Sequence, residues 1–476
     1  MVPTPTRFLA KFGSQFGLIV SLSTFTSLGA FASAAQLPES DPVGRSATSQ
    51  AGSHNAARSE RVHAWIGAWM RSVSQAAELS SQQANSLHQH LVEAANADQA
   101  RWMRLKQEST TPDTTVHWFM GYMGPVWNLT RAFEYQAERL LDTKQWGAYT
   151  TWRDRHHERI AGFFARRAVA VMHVDLFLTP PQRAICESAA VDWNRDHPNG
   201  VFLLRRPIQI ASAKPLRQLV AQLPNDLLTF NQRLRLDYIR DAKLQVKFDR
   251  RTSSSTANRR IRDLDQKFAE DGLNTVVVRV DYLTTVLSLS VAQQRRLALA
   301  GKGAVRRLRQ SWREAAQNTT ARIELPESED VVVSLLFPEQ FATDDLWTNT
   351  LKDLDVDSRA ARDTDTVAHR GAVGLVMGIL DQELVLDEIQ IEPLQRLVQQ
   401  TEPERVSSHA SNMPEIAMVA RTLIRIDHEA IAAILSESQR ECWRQIQNVF
   451  SFDGLDSASI RWMTQSPDLR LTESAS

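Results

Sequence analysis

Leu178-Thr179-Pro180-Pro181-Gln182 decides the fold of this chain, because it is one copy of a short pattern that recurs along the sequence. The pattern is a leucine followed by serine or threonine, with glutamine three residues after the hydroxyl. This spacing is typical of the capping box, in which each side chain accepts a hydrogen bond from the backbone N–H of the other residue at a helix start. Chance gives roughly half a copy in a chain of this composition, whereas full copies occupy residues 79–83, 178–182, 228–232, 289–293 and 435–439.

Weaker copies lie between the full ones, at residues 141–145, 336–340 and 391–395. Pro180, Pro338 and Pro393 stand where the first turn of a helix would lie, and a missing N–H costs little there. The pattern therefore predicts repeated helix starts, and we interpret its glutamines as structural groups without a catalytic role.

These helix starts predict an all-α protein of irregular, antiparallel helix pairs in two lobes, with little or no β-sheet. The N-terminal lobe is predicted over residues 61–248 and the C-terminal lobe over 260–465, with a linker at 249–259 and a tail at 466–476. Residues 274–280 are rich in valine, but their continuation through Tyr282 and Val286 keeps a helical period, which favours helix.

The first 34 residues have the pattern of an export signal. Arg7 and Lys11 precede a short apolar stretch at 17–30, and Ala32-Ser33-Ala34 fits the small-x-small cleavage site. We predict cleavage after Ala34, a flexible linker over 35–60, and a periplasmic or extracellular location. An uncleaved anchor is the alternative. Residues 371–380 are apolar but too short for a membrane span, and we predict a buried helix there.

Composition argues against several classes of protein. Lys plus Arg and Asp plus Glu both number 55, so no strong net field directs the chain to nucleic acid. Cys186 and Cys442 are too few for a disulfide framework. Both follow a box within a helical turn, and we predict two buried free thiols, with a single bridge as the alternative.

The boxes resemble the Leu-Thr-x-x-Gln motif of periplasmic stress chaperones of the Spy and CpxP type. Over residues 170–455 the chain is more similar to uncharacterised exported helical proteins of planctomycete bacteria. The similarity includes Leu299-Ala300-Gly301-Lys302-Gly303, although Ala304 replaces the acidic residue usual in that group. The resemblance implies a helical fold and export. It does not imply any particular activity. Its further matching pieces are Val174–Arg183, 192–194, 228–233, 289–303 and 345–352.

Catalytic and metal-binding patterns are weak. We predict no cofactor, no metal site and no catalytic residue. His156 and His157 lie in a charged run at 153–159, where adjacent helical residues point apart, so we interpret the run as a solvated helix face. Residues 353–357 resemble the opening of a calcium loop, but Ser358 replaces its glycine and Thr364 its terminal glutamate.

Two clusters leave alternatives open. Aromatic side chains are concentrated between Trp102 and Phe164, and we interpret them as core, with a client or glycan surface as the alternative. A second cluster is cationic, and is either a solvated face that pairs with nearby acids or a patch that binds polysaccharide, lipid headgroups or nucleic acid. Its members are Arg295, Arg296, Lys302, Arg306, Arg307, Arg309 and Arg313.

Together these features predict an exported, non-enzymatic helical repeat protein that binds proteins or surface polymers in the cell envelope, as a scaffold or chaperone. The partner is expected to be an envelope protein or a polysaccharide, with no specific nucleic acid and no span after signal cleavage. The alternative is an enzyme, such as an envelope hydrolase, whose site is assembled from distant residues. The sequence leaves the oligomeric state open.

Overall fold

The computed structural model describes residues 47–108, 125–196, 214–241, 245–248, 254–323, 331–334, 344–401, 403, 419 and 422–450. The predicted signal peptide, the box at 336–340 and the tail lie outside these residues. The helices are α1 (Ala47–Ala76), α2 (Ser81–Glu108), α3 (Pro125–Leu140), α4 (Thr143–Leu176), α5 (Pro180–Asp196), α6 (Lys214–Gln222), α7 (Phe230–Asp241), α8 (Ser254–Leu287), α9 (Val291–Ile323), α10 (Asp345–Asp353), α11 (Asp357–Leu384), α12 (Glu388–Gln400), α13 (His428–Ile434) and α14 (Glu437–Phe450).

The all-α prediction is confirmed, and the valine-rich stretch at 274–280 lies within α8. One two-stranded antiparallel sheet is present in the described residues. It joins β1 (Gln245–Phe248) to β2 (Val331–Ser334), with Gln245 opposite Ser334. Helix α1 begins at Ala47, inside the segment predicted as a linker.

Four long helices, α1, α4, α8 and α11, end in the same way. The residue after each helix or its last turn has left-handed backbone geometry, with φ between 47° and 52°, at Glu78, Phe177, Ser288 and Val385. A leucine and then the box residue follow each of them. Left-handed residues end helices because they turn the chain away from the axis.

The spacing of these ends redefines the repeat. The glutamines that follow them are Gln83, Gln182, Gln293 and Gln390, which are 99, 111 and 97 residues apart. The repeating unit is therefore about 100 residues long. In the first, second and last repeats, the structure describes two boxes in each repeat.

The first apolar core joins the two ends of the described chain. Trp65, Phe133 and Leu380 belong to it, as does Ile446 of α14. A second core forms around α4, α5 and α6, and a third around α8, α9 and α10. The first and last repeats therefore share one core although they are distant in sequence.

Helices α4 and α11 approach each other closely at glycine residues. A Cβ on Gly374 would lie 2.5 Å from the carbonyl oxygen of Phe163, and one on Gly378 would lie 3.0 Å from the Phe164 ring. Residues 371–380 are all buried, which confirms the buried helix predicted there. No helix in the described part of the chain is long and apolar enough to span a membrane.

Candidate functional site

The boxes meet in pairs through their glutamine side chains. In the last pair, Gln390 Nε2 donates to Gln439 Oε1 at 2.8 Å, and Gln439 Nε2 donates back to Gln390 Oε1 at 2.9 Å. Each Oε1 also accepts the N–H of its own cap residue, at 2.8 Å from Asp387 and 2.9 Å from Ser436. Each glutamine side chain therefore caps the start of its own helix and also binds the other glutamine.

The remaining amide hydrogen of each glutamine crosses to the opposite loop. Gln390 Nε2 donates to the carbonyl of Ile434 at 2.9 Å, and Gln439 Nε2 donates to that of Val385 at 3.0 Å. These carbonyls lie at the ends of the preceding helices, where intrahelical partners are missing. One side chain thus satisfies the start of one helix and the end of another.

Two further pairs repeat this arrangement. Gln182 and Gln232 donate to each other at 2.8 and 3.1 Å, and their second hydrogens reach the carbonyls of Leu227 and Leu176. Gln83 and Gln145 donate to each other at 2.8 and 3.1 Å. The paired glutamines are 49, 50 or 62 residues apart in sequence.

A polar residue follows four of the described box glutamines, and it also has a structural role. The guanidinium groups of Arg183, Arg233 and Arg440 donate to the carbonyl of the box leucine five residues earlier, at 3.1 to 3.3 Å. Gln294 makes the same bond to Leu289. This contact accounts for the polar residue at these four boxes, whereas Ala84, Trp146 and Ile391 follow the other glutamines.

One predicted box was misplaced. Residues 391–395 do not begin a helix, because Pro393 lies inside α12 and the actual capping box joins Asp387 to Gln390. This box has aspartate in place of the hydroxyl residue and lies five residues before the predicted one. By contrast, the weak copy at 141–145 is confirmed, with Asp142 and Gln145 forming a capping box at the start of α4.

A buried carboxylate, which the sequence analysis did not select, supports the last pair. Asp381 is 0% exposed, and Arg159 binds its two carboxylate oxygens at 2.7 and 3.0 Å. His156 Nε2 lies 3.2 Å from Oδ1, which also accepts the N–H of Leu386 at 3.1 Å. The available signal was an acidic residue directly after the apolar run at 371–380.

The electrostatics of Asp381 favour its charged form. Burial alone would raise its pKa, but His156 and Arg159 outweigh burial and hold the pKa below its usual range. Arg159 also donates to the Leu386 carbonyl at 2.6 Å. This network fixes the turn that carries Val385, whose positive φ is costly for a β-branched residue.

A related network surrounds the second pair. Arg183 binds the carboxylate of Asp363 at 2.7 and 2.9 Å, and the Tyr282 hydroxyl donates to the same carboxylate. His173 Nδ1 donates to the Leu178 carbonyl at 3.1 Å. Burial lowers the pKa of His173 to about 4, so this ring is neutral at pH 7.

The charged run at 153–159 is only partly a solvated face. Arg155 and His157 are exposed, but His156 is buried, stacked on Trp152 at a ring separation of 5.4 Å, and Arg159 binds Asp381. The solvated interpretation was wrong for those two residues. Their position on α4 faces the buried carboxylate of α11.

One of the possible calcium ligands is engaged in an ion pair. Asp353 forms an ion pair with Arg296, and Asp355 has left-handed backbone geometry between α10 and α11. Among the described residues, no group of three His, Cys, Asp or Glu side chains is arranged to hold a metal ion.

The predicted cationic cluster lies entirely on α9 and divides into two sets. Arg296 pairs with Asp353, and Arg307 pairs with Asp344. Arg309 and Arg313 both bind Asp265. The remaining three cations are exposed and form no ion pair with any described residue; they are Arg295, Lys302 and Arg306.

Aromatic residues and cysteines lie mainly in the cores. Phe133, Tyr149 and Phe164 are fully buried, which confirms the core interpretation for them, whereas Tyr135 is exposed. Trp102 has no described side chain, and Trp118 lies outside the described residues. Cys186 and Cys442 are free and buried, as predicted.

No family model matches this sequence, and neither the curated proteins nor the solved structures include a significant match to it. The polar groups at the glutamine pairs bond to one another and to helix ends, while the exposed cations of α9 remain available to a ligand.

Proposed function

We propose that this chain is an exported, non-enzymatic helical protein that binds proteins or surface polymers in the cell envelope. The sequence pattern of the first 34 residues supports export. The observation that carries the binding role is the contrast between the buried polar networks at the glutamine pairs and the uncommitted cations of α9.

The buried networks have the properties of structural elements. Asp381 and His156 form an Asp–His contact of the kind found in catalytic sites, but both side chains are almost inaccessible to solvent. A catalytic acid or base must come within hydrogen-bond reach of its substrate. These two residues therefore serve the fold in this proposal.

Stacked helical repeats supply the surface that a binding protein needs. Each repeat contacts its neighbours and leaves one side exposed, which gives an extended contact area. In this chain, α8, α9 and α10 form such a layer around the third core, and the outer side of α9 carries several exposed cations.

The test is chemical cross-linking of the tagged full-length protein in the envelope fraction, followed by identification of the captured molecules. We expect a reproducible envelope protein or polymer. A turnover screen of the same protein against esters, phosphoesters and glycosides is the complementary measurement. Turnover that a single point substitution abolishes would replace this proposal with an enzymatic function.

A further inference from the structure

One face of α9 alternates exposed apolar and cationic residues. Val291 is 63% exposed and Leu299 is 70% exposed. Arg295, Lys302 and Arg306 are the three members of the cationic cluster that are exposed and form no ion pair with a described residue. We call these five residues the α9 stripe.

The stripe occupies a single face of the helix. With about 100° of rotation per residue, its five residues lie within an arc of about 80°. They extend over about 22 Å along the axis, given a rise of about 1.5 Å per residue. Leu297 and Ala304 lie on the opposite side of the helix and are buried in the third core.

The other four cations of the cluster are already paired with carboxylates. Arg296 and Arg307 point away from the arc and pair with Asp353 and Asp344, while Arg313 follows the stripe and pairs with Asp265. The stripe is therefore the part of α9 whose positive charge is uncompensated by described residues. The uncompensated positive charge of the stripe would attract an anionic ligand.

We propose that the α9 stripe binds an anionic lipid surface, and this rests on the proposed binding function. Charge alone would suit any polyanion, but a soluble polymer offers nothing to Val291 and Leu299. A bilayer surface uses both kinds of residue, because its anionic headgroups attract cations while the acyl boundary accepts apolar side chains. The helix would lie along the membrane plane with its inner side still packed on the third core.

The test measures binding of the purified full-length protein to sedimented vesicles. The vesicles contain either phosphatidylcholine alone or phosphatidylcholine with phosphatidylglycerol, at low and at physiological salt. We expect binding to the anionic vesicles only, and weaker binding as salt rises, since ions screen surface charges.

Matched double variants separate the stripe from general charge. Lys302→Gln with Arg306→Gln should weaken vesicle binding about 25-fold, from about 1 kcal/mol per cation. Arg296→Gln with Arg307→Gln removes the same charge from the same helix and should leave binding within about twofold, because those cations are already paired. Equal losses in the two variants would overturn the proposal, as would absence of binding to anionic vesicles.

A second pair of variants tests the apolar component. Leu299→Ser should weaken binding about 5- to 10-fold, because part of a leucine side chain is buried at the interface. Ile389→Ser, at an exposed position on α12, should have no effect. If soluble dextran sulfate competes fully and Leu299→Ser has no effect, the ligand is a polyanion and not a membrane.

The vesicle result is independent of the cross-linking result. Capture of an envelope partner together with failure to bind vesicles would leave the proposed function standing and remove this inference. Circular dichroism of each variant confirms that its fold is intact before binding is compared.

Discussion

The first and last glutamine pairs make the same hydrogen bonds in different surroundings. Gln83 and Gln145 are partly exposed, whereas Gln390 and Gln439 are buried. The position nine residues before the first glutamine differs as well, with Ser74 in the first repeat and Asp381 in the last. Of these two pairs, the last one therefore has a buried charge network behind it and the first does not have one among the described residues.

This difference implies that the same hydrogen-bond pattern contributes differently to the free energy of unfolding at the two ends of the chain. In water, a broken hydrogen bond is replaced by a bond to solvent. In a dry core, the remaining partner stays unsatisfied, which costs about 1–3 kcal/mol for each buried group. We expect the last pair to contribute far more to stability than the first, although both share one apolar core.

The largest expected effect is that of Asp381→Asn. The substitution removes the buried charge that Arg159 binds and leaves that largely buried guanidinium with only the exposed carboxylate of Glu388 as a counterion. We expect a loss of about 3–5 kcal/mol in the free energy of unfolding, as for other broken buried pairs. Urea denaturation monitored by circular dichroism measures it.

The control for this substitution is Glu78→Gln in the first repeat. Glu78 pairs with Lys144, but both side chains are more than three-quarters exposed. Its loss should change stability by less than about 1 kcal/mol. Similar losses in the two variants would show that the Asp381 network has no special weight.

The next effect compares the glutamines directly. Gln439→Leu removes the 3.0 Å bond to the Val385 carbonyl, which keeps only a 3.4 Å bond from the Ser72 hydroxyl, and leaves one Gln390 amide hydrogen without an acceptor in the core. We expect this loss to cost about 2–3 kcal/mol. Gln83→Leu should cost about 0.5–1 kcal/mol, the usual cost of a lost helix cap. The shift of the urea denaturation midpoint in each variant measures the stability that is lost. Equal shifts would show that burial does not increase the contribution of the last pair.

A third effect concerns pH and the second repeat, which has His173 at the position of Ser74 and Asp381. The pKa of His173 is about 4 in the folded chain, below its ordinary value of 6.5. The unfolded chain therefore binds this proton first as pH falls, so the contribution is complete above pH 6.5 and is lost towards pH 4.

The expected loss between pH 6.5 and pH 5 is about 2 kcal/mol, at about 1.4 kcal/mol per unit of pKa difference. His173→Gln should flatten this slope. The measurement is the free energy of unfolding of both proteins at several pH values. Parallel slopes would mean that His173 is not the group that titrates.

The sequence predicted the helix starts but not their pairing. A capping box is local, so Leu178 through Gln182 contain all the information needed to place the start of α5. The bond between Gln182 and Gln232 joins residues 50 positions apart, and nothing in either box specifies its partner. The same limit explains why the unit of two boxes was not recognised.

The buried charges were missed for a related reason. Asp381 follows an apolar run and Arg159 lies in a charged run, so each looked ordinary in its own segment. Only the packing of α4 on α11 brings them together. The three cations of the α9 stripe were predicted as part of a cationic cluster, but the acids that neutralise the neighbouring cations lie 37 to 57 residues away in sequence.

The smallest expected effect concerns the reactivity of the two thiols, one of which lies in the second repeat and the other in the last. Cys186 follows Gln182 by four residues and Cys442 follows Gln439 by three, and burial raises the pKa of each thiol to about 12. A buried thiol with a raised pKa forms little thiolate and reacts slowly. In the native protein at pH 8 we expect almost no reaction with a disulfide reagent.

After denaturation without reductant, two thiols per chain should react. One reactive thiol or none would show that a cysteine is oxidised or bridged in the isolated protein. If Cys442 also reacts more slowly than Cys186 in the native chain, the last repeat opens less often than the second, as its buried charge network implies.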